Sequence, residues 1–123
     1  MSSGIWGKDL QVFYKILPRK VWDWARAQRS FSGSGIDLVD GYIHLSTLAQ
    51  VRETAARHFA GVDDLVLVAV PEQAVAAHLK WEPSRGGALF PHVYGTIDPQ
   101  QVSWVKDLPW TGTAHDFPED LLS

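Results

Sequence analysis

The chain has 123 residues, 46% of them hydrophobic and 20% charged, a size and composition that predict one globular domain with its own core. It has no cysteine, which excludes disulfides and thiolate nucleophiles, and it has neither an apolar run of membrane-spanning length nor a signal-peptide start, so we expect a cytoplasmic protein. The net charge is −3 and the basic residues between Lys8 and Arg29 are expected on a solvated face, so we predict neither DNA nor a membrane as a partner.

The first predicted elements are a strand and a helix. Residues 11–17 are rich in β-branched and aromatic side chains, which is typical of a strand, and they follow a segment, 1–10, that we expect to be loose. Pro18 suits the first turn of a helix over about 18–29. The residues predicted to share one face of that helix are Val21, Trp24, Ala25 and Gln28.

A polar junction between a strand and a helix follows a glycine-containing loop. Residues 42–45 alternate in polarity like a short strand and come directly after a turn-forming Asp-Gly pair. Thr47 and Gln50 form a capping-box pattern ahead of an amphipathic segment, which predicts the start of a second helix. The junction 41–47 is therefore the segment that we expect to carry the working surface.

The second half of the chain predicts further strands and a tail. Residues 64–70 are almost all apolar and are stopped by Pro71, which is typical of a buried central strand. A short helical excursion, two strands and a last apolar segment are predicted at 72–78, 79–83, 90–97 and 102–105. We therefore predict a single α+β domain at 11–108 and an acidic C-terminal tail at 109–123.

Polar and aromatic side chains share one face of the strand predicted at 42–45. Tyr42, His44 and Ser46 are spaced two residues apart, so their side chains point to the same side of a strand. In a purely structural interpretation, His44 bonds a backbone carbonyl, Ser46 caps the helix and Tyr42 packs. In a functional interpretation His44 is catalytic, and the residues that bind a ligand are Tyr42, Ser46 and Thr47.

A second strand repeats this pattern. His92 and Tyr94 are two residues apart, and Glu82 and Arg85 lie in the segment before them. If both strands face one cleft, His92 and Glu82 join His44 as catalytic groups. Arg85 and Tyr94 then bind a polar ligand such as a nucleotide or a sugar phosphate. The alternative is a surface salt bridge between Glu82 and Arg85, with Tyr94 buried.

Of the six tryptophans, Trp81 is the best placed to stack on a flat ligand ring, because it neighbours Glu82. Trp22 and Trp24 are expected to cover the sheet from the first helix. Neither strand histidine belongs to a closely spaced histidine pair, so we predict no metal site.

Five short blocks occur in order along residues 11 to about 105: Tyr14-Lys15-Ile16-Leu17, Trp22, and then residues 40–47, 79–82 and 90–95. Together they resemble a bacterial and plant family classed as a domain of unknown function, number nine-five-two. Members of that family look distantly similar in fold to ADP-ribosyltransferases and RNA 2′-phosphotransferases.

This resemblance implies a mixed, mostly antiparallel split β-sheet with about two main helices and a nicotinamide dinucleotide cleft between its halves. It names NAD as the expected ligand or cofactor. Ser46 and Thr47 stand in the place of the Ser-Thr-Ser block of those transferases. Tyr14 and Lys15 stand where those enzymes have a histidine or an arginine, and Glu82 is the candidate for the glutamate of their last motif.

Three functions remain open at this point. The first is a small or degenerate enzyme that binds a nucleotide-type ligand such as NAD and acts as a transferase at a glycosidic or phosphate group. The second is a non-catalytic interaction module, which an exposed aromatic surface without a cavity at His44 would favour. The third is a small hydrolase with a histidine base, which requires a histidine within hydrogen-bonding reach of a carboxylate.

Overall fold

The computed structural model describes residues 11–121, except for the side chain of Arg85. The segment 1–10, for which the sequence predicts a loose start, lies outside this range. The strands are β1 (Val12–Pro18), β2 (Ile43–His44), β3 (Leu65–Pro71), β4 (Leu79–Pro83), β5 (Leu89–Val93) and β6 (Trp104–Leu108). The helices are α1 (Arg19–Gln28), the short α2 (Ile36–Asp40) and α3 (Val51–His58).

The strands form two three-stranded sheets, with the orders β1-β3-β6 and β2-β5-β4. All pairings between these named strands are antiparallel. The predicted α+β class, with one domain and two main helices, is confirmed. Within the described part of the chain, an isolated bridge joins the sheets: the backbones of Tyr14 and Ser46 exchange hydrogen bonds of 2.8 and 2.9 Å.

The predicted central strand is confirmed as β3, which lies between β1 and β6. Every residue from Leu65 to Val70 is buried, as an almost continuous apolar run requires of a strand covered on both faces. On one side β3 packs into the core cluster that includes Phe13 and Trp22, and on the other into the cluster that includes Tyr14 and Val51.

The second sheet has one apolar face and one polar face, because side chains alternate along each strand. The apolar face joins the core through Ile43, Leu45, Leu79 and Val93. The polar face carries Tyr42, His44, Ser46, Lys80, Glu82, His92 and Tyr94. This polar face supplies most of the residues that the sequence selects as candidates.

Helix α1 buries a different stripe from the predicted one. Trp22 and Ala25 are buried, whereas Trp24 is 63% exposed, so the prediction that Trp24 covers the sheet is wrong. Residues two apart on an α-helix point roughly 200° away from each other, and the helix therefore buries only one of its two tryptophans.

Several element boundaries differ from the predictions. Residues 72–78 form two 3₁₀ turns, and β5 ends at Val93 and not near Ile97. Beyond that strand the ring of His78 packs so closely on Gly95 that an added Cβ would lie 3.0 Å from it, and Ile97 pairs with Phe31. In the segment 109–121, Phe117 and Leu121 pack at a core cluster.

The C-terminal contact is specific: the Tyr14 hydroxyl donates a 2.8 Å hydrogen bond to the Leu121 carbonyl, and Leu121 is buried in the core. Within residues 11–121, no helix is both long enough and apolar enough to cross a membrane.

Candidate functional site

A cavity of about 560 Å³ opens where the two sheets meet. Its polar lining comes from β1, α2, the β2–α3 junction, α3 and β5, and includes Lys15, Asp37, Asp40, His44, Ser46, Thr54, His58 and His92. Apolar walls are contributed by residues such as Ile16, Phe59 and Phe90. The size and the mixed lining are those of a small-molecule site.

A buried ion pair lies at the base of the polar lining. Lys15 is only 7% exposed, and its Nζ lies 2.7 Å from Oδ2 of Asp37. The ammonium also donates to the carbonyl of His44 at 3.0 Å, and Oδ2 of Asp37 accepts from the Ser34 amide at 3.0 Å. The expectation of a solvated face is therefore wrong for Lys15, because the bridge at Tyr14 places β1 between the two sheets.

The buried pair shifts the pKa of both partners. Burial lowers the pKa of Lys15 by more than the Asp37 carboxylate raises it. Burial alone would raise the pKa of Asp37, but the hydrogen bond from His44 and the charge of Lys15 outweigh it and lower that pKa. Asp37 is therefore held as a carboxylate.

Both ring nitrogens of His44 face carboxylates. Nδ1 lies 2.7 Å from Oδ1 of Asp37, and Nε2 lies 3.0 Å from Oδ2 of Asp40. Both ring nitrogens of His44 therefore have a carboxylate neighbour, and neither is open to a substrate as a base in this arrangement.

Helix α2 carries both of these carboxylates towards the cavity. Gly41 follows the helix with φ 87°, a left-handed conformation that favours glycine, and lets the chain reverse into β2 within two residues. Asp37 is buried, whereas Ile36, Leu38 and Val39 are 58%, 66% and 79% exposed. The helix therefore turns Asp37 inward and these aliphatic residues outward, while the more exposed Asp40 lines the cavity.

His92 has a different environment. Its Nδ1 lies 2.7 Å from Oε1 of Glu82, and the Tyr94 hydroxyl donates to the same carboxylate at 2.8 and 3.1 Å. Among residues 11–121, Nε2 of His92 is buried and has no hydrogen-bonding partner. A carboxylate that binds Nδ1–H sets the tautomer in which Nε2 carries the lone pair.

The Glu82 cluster shifts two further pKa values. The hydrogen bonds from His92 and then from Tyr94 lower the pKa of Glu82. The hydrogen bond to Glu82 raises the pKa of Tyr94 to about 12. Tyr94 therefore remains a hydrogen-bond donor throughout the neutral pH range.

Tyr42 packs against this cluster from the same face. Its ring centroid lies 4.6 Å from that of His44, 4.3 Å from that of His92 and 5.0 Å from that of Tyr94. The two histidine rings are 5.1 Å apart. The structure thus brings together the two strands that the sequence selects, with Tyr42 stacked across them.

Ser46 and Thr54 form a hydroxyl pair in the cavity wall, with 2.8 Å between their oxygens. The Thr54 hydroxyl donates to the Gln50 carbonyl at 3.1 Å. Among the hydrogen bonds of residues 11–121, the Ser46 hydroxyl is joined to Thr54 and not to His44 or His92, so neither of these two histidines is positioned to activate it as a nucleophile.

Five candidate residues lie outside the cavity lining: Tyr42, Glu82, Tyr94, Thr47 and Trp81. Thr47 donates its amide to Oε1 of Gln50 at 3.1 Å, which is one half of the predicted capping box. Trp81 packs edge-on against Phe13, with 5.5 Å between ring centroids. For Arg85 the side chain is not described, although the adjacent Ser84 lines the cavity.

Sequence reasoning did not select Asp37, Asp40 or Thr54. The available signal was the three-residue spacing of Asp37 and Asp40, which puts both carboxylates on one face of a helix. Among the described residues, no group of three or more His, Asp or Glu side chains is arranged to hold a metal ion.

The chain is similar to proteins of a known family. The sequence pattern of the family described as "Protein of unknown function (DUF952)" matches residues 16–105. The crystal structure of protein CC0527 from Caulobacter crescentus is 46% identical, with a TM-score of 0.80 over 85% of this chain and 93% of that chain. A solution NMR structure of CC0527 is 47% identical, with a TM-score of 0.75 over 85% and 90% of the two chains.

No protein of curated function matches the chain. Neither the family description nor the names of the matched structures mentions ADP-ribosyl transfer. The match over residues 16–105, together with this likeness to CC0527, shows that the chain belongs to the DUF952 family.

Proposed function

We propose that the chain binds a nucleotide-type ligand such as NAD in the cavity and acts as a transferase at a glycosidic or phosphate group. The observation that carries the proposal is the convergence of Lys15, His44, Ser46 and His92 from separate elements on one cavity of about 560 Å³. A volume of this size accommodates a ligand of nucleotide dimensions. A concave site at His44 also favours a ligand over an interaction module.

The roles of the two histidines differ in this proposal. His92, oriented by Glu82 at 2.7 Å, is the general base, because its Nε2 is the ring nitrogen that no described protein group occupies. His44, held between Asp37 and Asp40, shapes the cavity wall.

In a transfer at a glycosidic bond, His92 takes the proton of the attacking hydroxyl. The bond from that oxygen to the sugar carbon forms as the glycosidic bond breaks, and the electron pair of the broken bond leaves with the leaving group, such as the nicotinamide of NAD. Positive charge develops on the sugar in such a transition state, and nearby carboxylates stabilise it. In this proposal Asp40, which lines the cavity, takes that role.

The test is thermal unfolding in the presence of NAD, ADP-ribose, nicotinamide mononucleotide and AMP. A ligand at about 100 times its Kd stabilises the folded state by about 2.7 kcal/mol, which raises Tm by roughly 10 °C for a domain of this size. Ser46→Ala should reduce the shift, and Thr96→Val, an exposed threonine outside the cavity lining, is the matched control. A panel that leaves Tm unchanged contradicts the proposal.

A second candidate is a small hydrolase in which His92 activates water. The 2.7 Å contact between His92 and Glu82 favours it, since this is the carboxylate–histidine pair that a general base requires. Incubation with NAD separates the two functions. Release of nicotinamide with free ADP-ribose indicates a hydrolase, whereas release that depends on an added hydroxyl acceptor indicates a transferase.

A further inference from the structure

We infer that the ligand presents hydrogen-bond donors, such as the hydroxyls of a ribose, and not a phosphate oxyanion to the part of the cavity formed by His92 and Ser46. We call these two residues the acceptor wall. The inference rests on the proposed function and specifies which chemical group of the ligand enters this part of the site.

The first member of the acceptor wall is His92. A neutral imidazole has one N–H and one lone pair, and here the N–H at Nδ1 serves Glu82. The lone pair therefore resides on Nε2, which is buried on a residue that lines the cavity. A buried acceptor is satisfied by a donor, so the group that meets it carries a hydrogen.

The second member is Ser46, whose hydrogen is already committed. Thr54 donates its own hydroxyl hydrogen to the Gln50 carbonyl, so the hydrogen in the 2.8 Å contact between the two hydroxyls comes from Ser46. The Ser46 oxygen then has only lone pairs for the cavity. Like His92, it is complementary to a donor.

The cations near the acceptor wall are already paired. Lys15 contacts Asp37 at 2.7 Å, and His44 lies between Asp37 and Asp40. Lys15 and His44 thus each have a carboxylate partner, and His58, a further histidine of the lining, lies outside the acceptor wall. A phosphate at the acceptor wall would meet two lone pairs and no uncommitted charge among these groups, whereas a neutral hydroxyl would donate to either acceptor.

The test compares adenosine with 2′-deoxyadenosine, 3′-deoxyadenosine and inorganic phosphate by isothermal titration calorimetry. Loss of a donor that reaches a buried acceptor should weaken binding by about 10-fold. We therefore expect at least one deoxynucleoside to bind about 10-fold more weakly than adenosine, and we expect phosphate not to displace adenosine.

Thr54→Val provides a readout that a merely structural role would not produce. Without the Thr54 oxygen, the Ser46 hydrogen becomes available to the ligand, so the preference for adenosine over the deoxynucleosides should shrink. The affinity for 2′-deoxy-2′-fluoroadenosine, which replaces a donor with an acceptor, should rise. Thr96→Val, an exposed threonine outside the cavity, should leave all affinities unchanged.

Each outcome has a defined meaning. Equal affinities for adenosine and both deoxynucleosides, or displacement of adenosine by phosphate, overturn the inference and leave the proposed function standing. Failure of every nucleoside and every nucleotide to bind overturns both.

Discussion

Replacement of Asp37 by asparagine should strongly destabilise the fold. The change removes the carboxylate charge but keeps the size of the side chain, and it leaves the Lys15 ammonium buried, with only 9% of that side chain exposed. The expected loss of stability therefore arises from electrostatics and not from packing. It tests whether the pair at the base of the cavity is charged.

The expected magnitude follows from the burial of both partners. Removal of one partner from a buried ion pair costs about 3–5 kcal/mol, because the remaining charge stays out of water without compensation. An exposed pair is worth about 1 kcal/mol or less. Arg57 and Glu53, at 2.8 Å but with side chains 56% and 62% exposed, form the matched control pair in this chain.

The assay is urea unfolding at neutral pH, followed by tryptophan fluorescence, for four proteins. They are the wild type, Asp37→Asn, Glu53→Gln, and the double variant Lys15→Met with Asp37→Asn. We expect the free energy of unfolding to fall strongly for Asp37→Asn and only slightly for Glu53→Gln. It should fall less for the double variant than for Asp37→Asn alone, because no unpaired ammonium remains in the double variant.

Two results would refute this reasoning. One is a decrease in the free energy of unfolding of less than about 1 kcal/mol for Asp37→Asn, because that is what an exposed ion pair contributes. The other is a double variant less stable than the single one, which would mean that Lys15 is not held as an ammonium by Asp37.

The pH dependence of the same proteins has a defined sign. The pKa of Asp37 is lowered in the folded state, so its contribution to the free energy of unfolding is fully present above its usual 3.8 and is lost as the pH falls through the folded-state value. The difference between the wild type and Asp37→Asn should therefore shrink in acid. A difference that is independent of pH would contradict this assignment.

Three further predictions concern single side chains. The pKa of Tyr94 is raised from 10.0 to about 12, so its contribution to the free energy of unfolding is present below pH 10 and is lost as the pH rises through about 12. Tyr94→Phe should remove the corresponding late step in an ultraviolet titration of tyrosine. Persistence of that step would assign it to another residue. Leu67→Ala should cost about 2–5 kcal/mol in urea unfolding, because Leu67 is fully buried in β3, and a cost below about 1 kcal/mol would contradict that packing. Trp24→Gln should change the free energy of unfolding by less than about 0.5 kcal/mol, because Trp24 is exposed. A destabilisation as large as that expected for Leu67→Ala would instead support the predicted burial of Trp24.

Local sequence patterns were sufficient for much of this protein. The apolar run ended by Pro71 predicted the central strand, because only a strand covered on both faces has almost no polar residue. The spacing of Tyr42, His44 and Ser46 predicted their common face, because side chains alternate along any strand. The same rule placed His92 and Tyr94 together.

Only the tertiary structure decided which chemistry those residues share. The Lys15–Asp37 pair joins residues on separate elements, and no local pattern encodes a contact that depends on the bridge between the two sheets. The same holds for the two histidines, which have equivalent patterns in the sequence. His44 is enclosed by two carboxylates and His92 by one, because the folded positions of α2 and β4 determine how many hydrogen-bond acceptors each ring meets.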